Sequence, residues 1–167
     1  MPFSHNERLD DLDLKIIDML RKDSSVPFVE VARQIDVSDA TIHNRVQRLI
    51  AAGIINKFTI SVDNNRLGYS HLAYMGINIE CGFIEEITTN LCNIDQVLEV
   101  HEMYGIFDLF IKIRAKDLEQ LRDIVQNKIC KLPHILQTEL MTVLKTGKEE
   151  HLALSSLRKD RSVRLNY

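Results

Sequence analysis

The segment VSDATIHNRVQRLIAAGII, residues 37–55, constrains the fold of this chain more than any other. Ser38 is a good helix N-cap, and Gly53 suits the position just past a helix C-terminus. Winding residues 38–52 as a helix gathers Ile42, Val46, Leu49 and Ile50 on one face, which must be buried against something. The preceding residues supply the cover. After Pro27, a residue that suits a first helical position, Phe28, Val31, Ala32 and Ile35 recur at i, i+3, i+4 and i+7. Only Asp36 and Val37 remain before the Ser38 cap, and two helices joined by so short a turn form a helix-turn-helix unit. A further helix is predicted over Asp10–Lys22, with Leu12, Ile16, Ile17 and Leu20 at helical spacing. Asp10, Asp11 and Asp13 lie in its first turn, where the helix dipole favours acids.

The face of the 38–52 helix turned away from that core carries Ala40, Thr41, Asn44, Gln47, Arg48 and Ala51, with His43 and Arg45 on its flanks. Small, hydrogen-bonding and basic side chains are what a helix needs to enter a major groove and reach base edges. Asn and Gln pair bidentately with adenine, Arg with guanine, and Ser, Thr and Arg also serve phosphates. The expected DNA-contacting set is therefore Ser38, Thr41, His43, Asn44, Arg45, Gln47 and Arg48. Arg48→Ala is expected to weaken DNA binding with little loss of fold. A net charge of −3 does not oppose this reading. The acids concentrate in the first helix, whereas Arg33, Arg45, Arg48 and Lys57 face only Asp36 and Asp39 between residues 33 and 57.

After Gly53 the pattern turns extended. Residues 54–62 (IINKFTISV) are rich in β-branched residues, and DNNRLG reads as a turn-rich linker. Then follow a strand at His71–Glu80, a helix with Phe83, Ile84, Ile87 and Leu91, strands at Val97–Met103 and Ile106–Ala115, a helix with Leu118, Leu121, Val125, Ile129 and Leu132, and a strand at Ile135–Lys145. The order βαββαβ is the ferredoxin-like split pattern, so the fold class is α+β. Phe107, Leu109, Ile111 and Ile113 are placed under the helices. Leu72, Tyr74, Ile106 and Phe110, beside Asp108, Lys112 and Arg114, fall on the open face. That face would leave a sizeable apolar patch in water, and a second copy of the chain is the economical cover.

Taken together, LDDLDLKIIDMLRKD, VSDATIHNRVQRLIAAGII, VDNNRLGY and YGIFDLFIKI resemble the Lrp/AsnC (leucine-responsive, feast-famine) transcription regulators over about residues 9–147. The resemblance implies a helix-turn-helix domain over 1–56, a β-strand linker over 57–70, a βαββαβ (RAM-type) effector-binding and oligomerisation domain over 71–147, and a tail over 148–167. It further implies a homodimer on double-stranded DNA, a higher oligomer such as an octamer, and an amino-acid effector held between dimers. Tyr104, Gly105 and Asp108 become candidate effector contacts, the backbone for an α-carboxylate and Asp108 for an ammonium; Thr138 and Thr142 would add hydroxyls. Asp36 stands where the family turn commonly has glycine, and Leu140 where a threonine is common.

Other classes fit less well. An RNA-recognition domain shares the βαββαβ order, but its third-strand motif needs a basic residue and exposed stacking aromatics, and Asp108 would repel phosphate. Siroheme decarboxylases share the architecture, with His101 in a comparable strand, yet VHEMYG lacks their His-Asn-Tyr pattern. No HExxH, GxGxxG or P-loop is present, so neither a catalytic residue, a metal site nor a cofactor is expected. An architectural DNA compactor would use the same helix, with the basic run Arg158, Lys159, Asp160, Arg161 gaining weight. No apolar run is long enough for a membrane span, and no signal peptide is apparent. Cys81, Cys92 and Cys130 form no CxxC, which fits a reducing cytoplasm.

Overall fold

The computed structural model describes residues 9–149; the basic run at 158–161 and most of the expected tail lie outside the described residues. The described chain falls into two compact units, 9–61 and 62–149.

The first unit is a three-helix domain: α1 (Asp11–Lys22), α2 (Phe28–Ile35) and α3 (Asp39–Ala51). Each end has a visible chemical cause. The Asp10 side chain accepts the Asp13 backbone N–H at 2.9 Å, while the Asp13 side chain accepts the Asp10 N–H at 3.1 Å. That reciprocal pair closes the first turn of α1. Pro27 sits one residue earlier than expected, as the N-cap of α2. The α2–α3 turn requires a left-handed residue, and Asp36 adopts it with φ 60° and ψ 53°. Asp is among the few non-glycine residues that tolerate this region. Ser38 then caps α3 by accepting the Thr41 N–H at 3.1 Å, and Gly53, with φ 70°, ends it. Ile16, Leu20, Val31, Ala32, Ile42 and Val46 form the core. Ile50, assigned to the packing face from sequence, is exposed instead. It lies at the edge of the apolar arc, where Leu49 already closes the contact.

Residues 54–62 form no strand in the single chain, contrary to the expected β-strand linker. A strand requires a ladder partner for its backbone groups, and among the described residues none pairs with this segment. Phe58, Ile60 and Val62, at alternate positions of this segment, are all exposed.

The second unit is the expected βαββαβ: β1 (His71–Ile79), α4 (Ile84–Cys92), β2 (Val97–Glu102), β3 (Leu109–Ala115), α5 (Leu118–Asp123) and β4 (Ile135–Thr142). A π-helical turn, Ile124–Ile129, continues α5. The strands form one antiparallel sheet in the order β2-β3-β1-β4, with Ala73 opposite Ile113 and Thr142, and Ile77 opposite Leu109 and Thr138. Strand alternation sends Ala73, Met75, Ile77, Leu109, Ile111 and Ile113 to one face. There they are buried with Ile87 and Leu91 of α4 and with Leu121, Ile124 and Ile129. Full burial of each Leu, Ile or Met side chain in this core contributes about 1.5–3 kcal/mol.

On the other face Tyr74 stacks on Phe110, with ring centroids 5.6 Å apart. Phe107 is also on this face, not under the helices as strand alternation implied. The strand ends at Leu109, and the preceding residues form a loop in which alternation no longer applies. The Phe107 ring occupies the space a side chain at residue 76 would need: a Cβ built on Gly76 would overlap the ring. Lys112, on the same face, is almost wholly covered, with its ammonium between the carboxylates of Glu99 (3.1 Å) and Glu149. Burial works against its charge, but the two carboxylates outweigh it and raise the Lys112 pKa above the usual lysine value.

Candidate nucleic-acid interface

The outward surface of α3 begins with its caps. Ser38 and Asp39 are exposed, and the Ser38 and Thr41 hydroxyls lie 2.7 Å apart, so the two groups are already hydrogen-bonded to each other. Further along, Ala40, Asn44, Gln47 and Ala51 are all exposed. Their spacing of i, i+4, i+7 and i+11 makes them one stripe along the helix. Neither the Asn44 nor the Gln47 amide meets a side-chain partner among the described residues. His43 is exposed beside the stripe, its ring edge-on to Phe28 at 5.1 Å.

Arg45 and Arg48 do not stand free on that surface, as the helical wheel suggested. Both turn back onto the first turn of α1. Arg45 Nη1 donates to Asp13 Oδ1 at 3.1 Å and to Asp10 Oδ2, and Arg48 Nη2 donates to Asp13 Oδ2 at 2.9 Å. The Asp13 carboxylate is wholly buried, whereas the two guanidinium side chains keep about a quarter of their surface in water. A buried carboxylate is tolerable only when paired, and Asp13 has two cations and a backbone N–H. Burial works against ionised Asp10, but the Asp13 N–H and the Arg45 guanidinium outweigh it and hold its carboxyl below the ordinary aspartate value. The same contacts raise the Arg45 pKa, led by the hydrogen bond to Asp10. The expectation that Arg48→Ala would spare the fold is therefore replaced: the substitution strips a cation from a buried anion. Sequence reasoning counted Asp13 as a first-turn acid only. Its spacing from Asp10 was the available signal, since a capping box turns the N3 acid back toward the helix end.

The candidate effector residues lie in the second unit. Tyr104 and Gly105 are exposed in the β2–β3 loop, which closes through the Met103 N–H donating to the Asp108 carbonyl at 2.9 Å. Asp108 supports the sheet itself, because its Oδ2 accepts the Ile79 N–H at 2.8 Å, where the β1–β4 register shifts between Asn78 and Ile79. Thr138 and Thr142 are on β4, facing the helix side with Ile77 and Ala73, and Thr138 Oγ1 is 3.8 Å from Cys130 Sγ. β1 separates β4 from β3, a distance of about 10 Å. One chain thus leaves the five residues in two groups, the 104–108 loop and the β4 edge.

His101 pairs with Glu99 at 3.3 Å on the exposed side of β2. Among the described residues no three His, Cys, Asp or Glu side chains are placed to hold a metal ion, and no helix is long and apolar enough to cross a membrane.

Residues 9–50 match the AsnC-type helix-turn-helix domain, and residues 72–153 the Lrp/AsnC ligand binding domain. The chain is 37% identical over 141 residues to the HTH-type transcriptional regulator FL11 of Pyrococcus horikoshii, covering 84% of this chain and 93% of that protein. It is 31% identical to the regulatory protein AsnC of Haemophilus influenzae, covering 82% and 91%. Among solved structures, E. coli AsnC superposes with a TM-score of 0.83 at 29% identity, covering 87% of this chain and 99% of that one. A transcriptional regulator of Neisseria meningitidis in complex with L-Met shares the fold, with a TM-score of 0.85 at 20% identity, covering 90% and 99%.

Proposed function

The chain belongs to the Lrp/AsnC family of helix-turn-helix transcriptional regulators, and from that premise we propose that it binds pseudo-palindromic double-stranded DNA as a homodimer and answers to an amino acid. The observation that carries the DNA reading is the exposed α3 stripe of Ala40, Asn44, Gln47 and Ala51 on a capped, three-helix core. Small residues at both ends let the helix approach, and amides in the middle offer base-edge hydrogen bonds. Ser38, Thr41 and His43 flank the stripe and suit phosphate or base contacts, while Arg45 and Arg48 add partly exposed charge beside it. In a two-fold dimer the paired helices enter major grooves about 34–36 Å apart, or a multiple of that.

The effector reading rests on the matched ligand binding domain and on the relative solved with L-Met. The two residue groups, Tyr104, Gly105 and Asp108 on one side and Thr138 and Thr142 on the other, fit a site completed between copies in a dimer or a larger ring such as an octamer. An effector there biases assembly or helix spacing rather than touching DNA, which is coupling through a two-state interface. The protein works in the cytoplasm as a binder of DNA, not as a catalyst.

Selection of bound duplexes from a random pool, with and without each of the twenty amino acids, tests both parts. Enrichment of a two-fold-related motif that shifts with one amino acid is expected. Failure to enrich any motif overturns the sequence-specific reading. A motif indifferent to every amino acid at millimolar concentration overturns the effector reading alone.

A further inference from the structure

We infer that Asn44 and Gln47 carry the base discrimination of α3 and read adenines, while Arg45 and Arg48 are positioning residues rather than guanine readers; this rests on the DNA-binding reading above. By residue type alone the two arginines are the prime candidates for base contact, since Arg on guanine is the commonest specific pairing in the major groove. Their geometry commits them elsewhere. Both guanidinium groups converge on Asp13, whose carboxylate has no contact with water, and Arg45 also holds Asp10. Extending either arginine to a base edge would withdraw a cation from a buried anion, a cost that offsets what one guanine pair supplies. The arrangement also places two carboxylates against two guanidinium groups, so this edge of α3 is close to neutral.

What remains outward on the stripe is amide. Asn44 and Gln47 are three residues apart on one face, exposed and without side-chain partners among the described residues. A side-chain amide presents one donor and one acceptor side by side, the complement of adenine N7 and N6 in the major groove. Ala40 and Ala51 at the two ends of the stripe leave room for the backbone to come close. Two amides on adjacent turns of one helix point to two adenine-containing base pairs within each half-site.

The test uses the full-length protein and the duplex it selects from a random pool, with each half-site pair replaced in turn and binding followed by fluorescence anisotropy. Asn44→Ala and Gln47→Ala are expected each to abolish the preference at one A·T pair, a change of about 5–150-fold there, leaving the other positions as before. Arg45→Lys and Arg48→Lys, which keep the charge but lose the fork, are expected to lower the thermal midpoint. They should weaken all duplexes by a similar factor, with no single position losing its preference. If a G·C preference disappears in either lysine variant, or both alanine variants keep every preference of the wild type, the assignment is wrong and the regulator reading stands. If the wild type selects no duplex, both fall together.

Discussion

Asp13 and Arg48, on different helices, meet at 2.9 Å around a carboxylate that water does not reach. This pair, with Arg45 beside it, joins the N-terminus of α1 to the middle of α3. The orientation of α3 is thereby set by charge as well as by Ile42, Val46 and Leu49 packing below it.

Removing the Arg48 partner tests the joint. Arg48→Ala is expected to cost about 1–3 kcal/mol in urea unfolding, less than the roughly 3–5 kcal/mol of a wholly buried broken pair because Arg45 still contacts Asp13. In a double-mutant cycle with Asp13→Ala, the two losses should fall well short of adding. Additivity within about 0.5 kcal/mol would show that the pair is not coupled.

Asp10 holds the outer side of the same cluster and is about half exposed. Asp10→Asn keeps a good N-cap while removing one negative charge next to Arg45. Non-specific DNA affinity should rise, and the salt dependence of log K should steepen by about 1. An unchanged slope across a salt titration contradicts the neutralising role.

Acid should loosen the three-helix unit in a defined window. Glu30 is held at about 2 by hydrogen bonds from Arg33 and then Gln34, against an ordinary value of 4.5, and Asp10 is also held below its ordinary 3.8. A carboxyl whose folded pKa is depressed takes up protons more readily when unfolded. Its stabilisation is thus present above the unfolded pKa and lost as pH falls through the folded one. The thermal midpoint should be insensitive to these two groups above about pH 5 and decline from pH 4.5 toward 2. Glu30→Gln should flatten part of that decline.

Gly76 has no room for a side chain because the Phe107 ring fills the position. Gly76→Ala is expected to destabilise the sheet unit by about 1–3 kcal/mol through overpacking. Combining it with Phe107→Ala should recover part of the loss, as the ring no longer has to move. Equal stability of Gly76→Ala and wild type in urea would place the ring elsewhere.

The open sheet face, with Tyr74 stacked on Phe110, is the proposed dimer surface. Phe110→Asp should shift light scattering at low micromolar concentration from dimer or larger toward monomer, with far-ultraviolet circular dichroism preserved. A wild-type protein that is already monomeric there would overturn the dimer proposal.

The helix ends and strand order were legible because their causes are local. Ser38, Asp36 and Gly53 act on backbone within a few residues, and strand alternation needs only neighbours. The relationships that escaped are those between distant or irregular parts. Asp13 reads as an ordinary first-turn acid until α3 brings two arginines to it. Phe107 continues the apolar alternation of β3 in the sequence, yet β3 runs only from Leu109, and in the loop before it the Phe107 ring lies on the other face against Gly76 and Phe110. The linker at 54–62 has strand chemistry but no ladder partner among the described residues, which periodicity does not reveal. In the proposed effector region Asp108 and Gly105 stood out as an interruption and a turn. The separation of Thr138 and Thr142 from them follows from sheet order, which places β1 between.

The stripe of Ala40, Asn44, Gln47 and Ala51 is separate from both the apolar core and the Asp13 cluster. Exchanges along it disturb neither, and exposed positions of this kind usually shift stability by no more than about 0.5 kcal/mol. Descendants of this chain are thus free to change the stripe side chains one at a time while inheriting the arginine brace intact, so the surface proposed to meet DNA can diverge far faster than the scaffold that holds it.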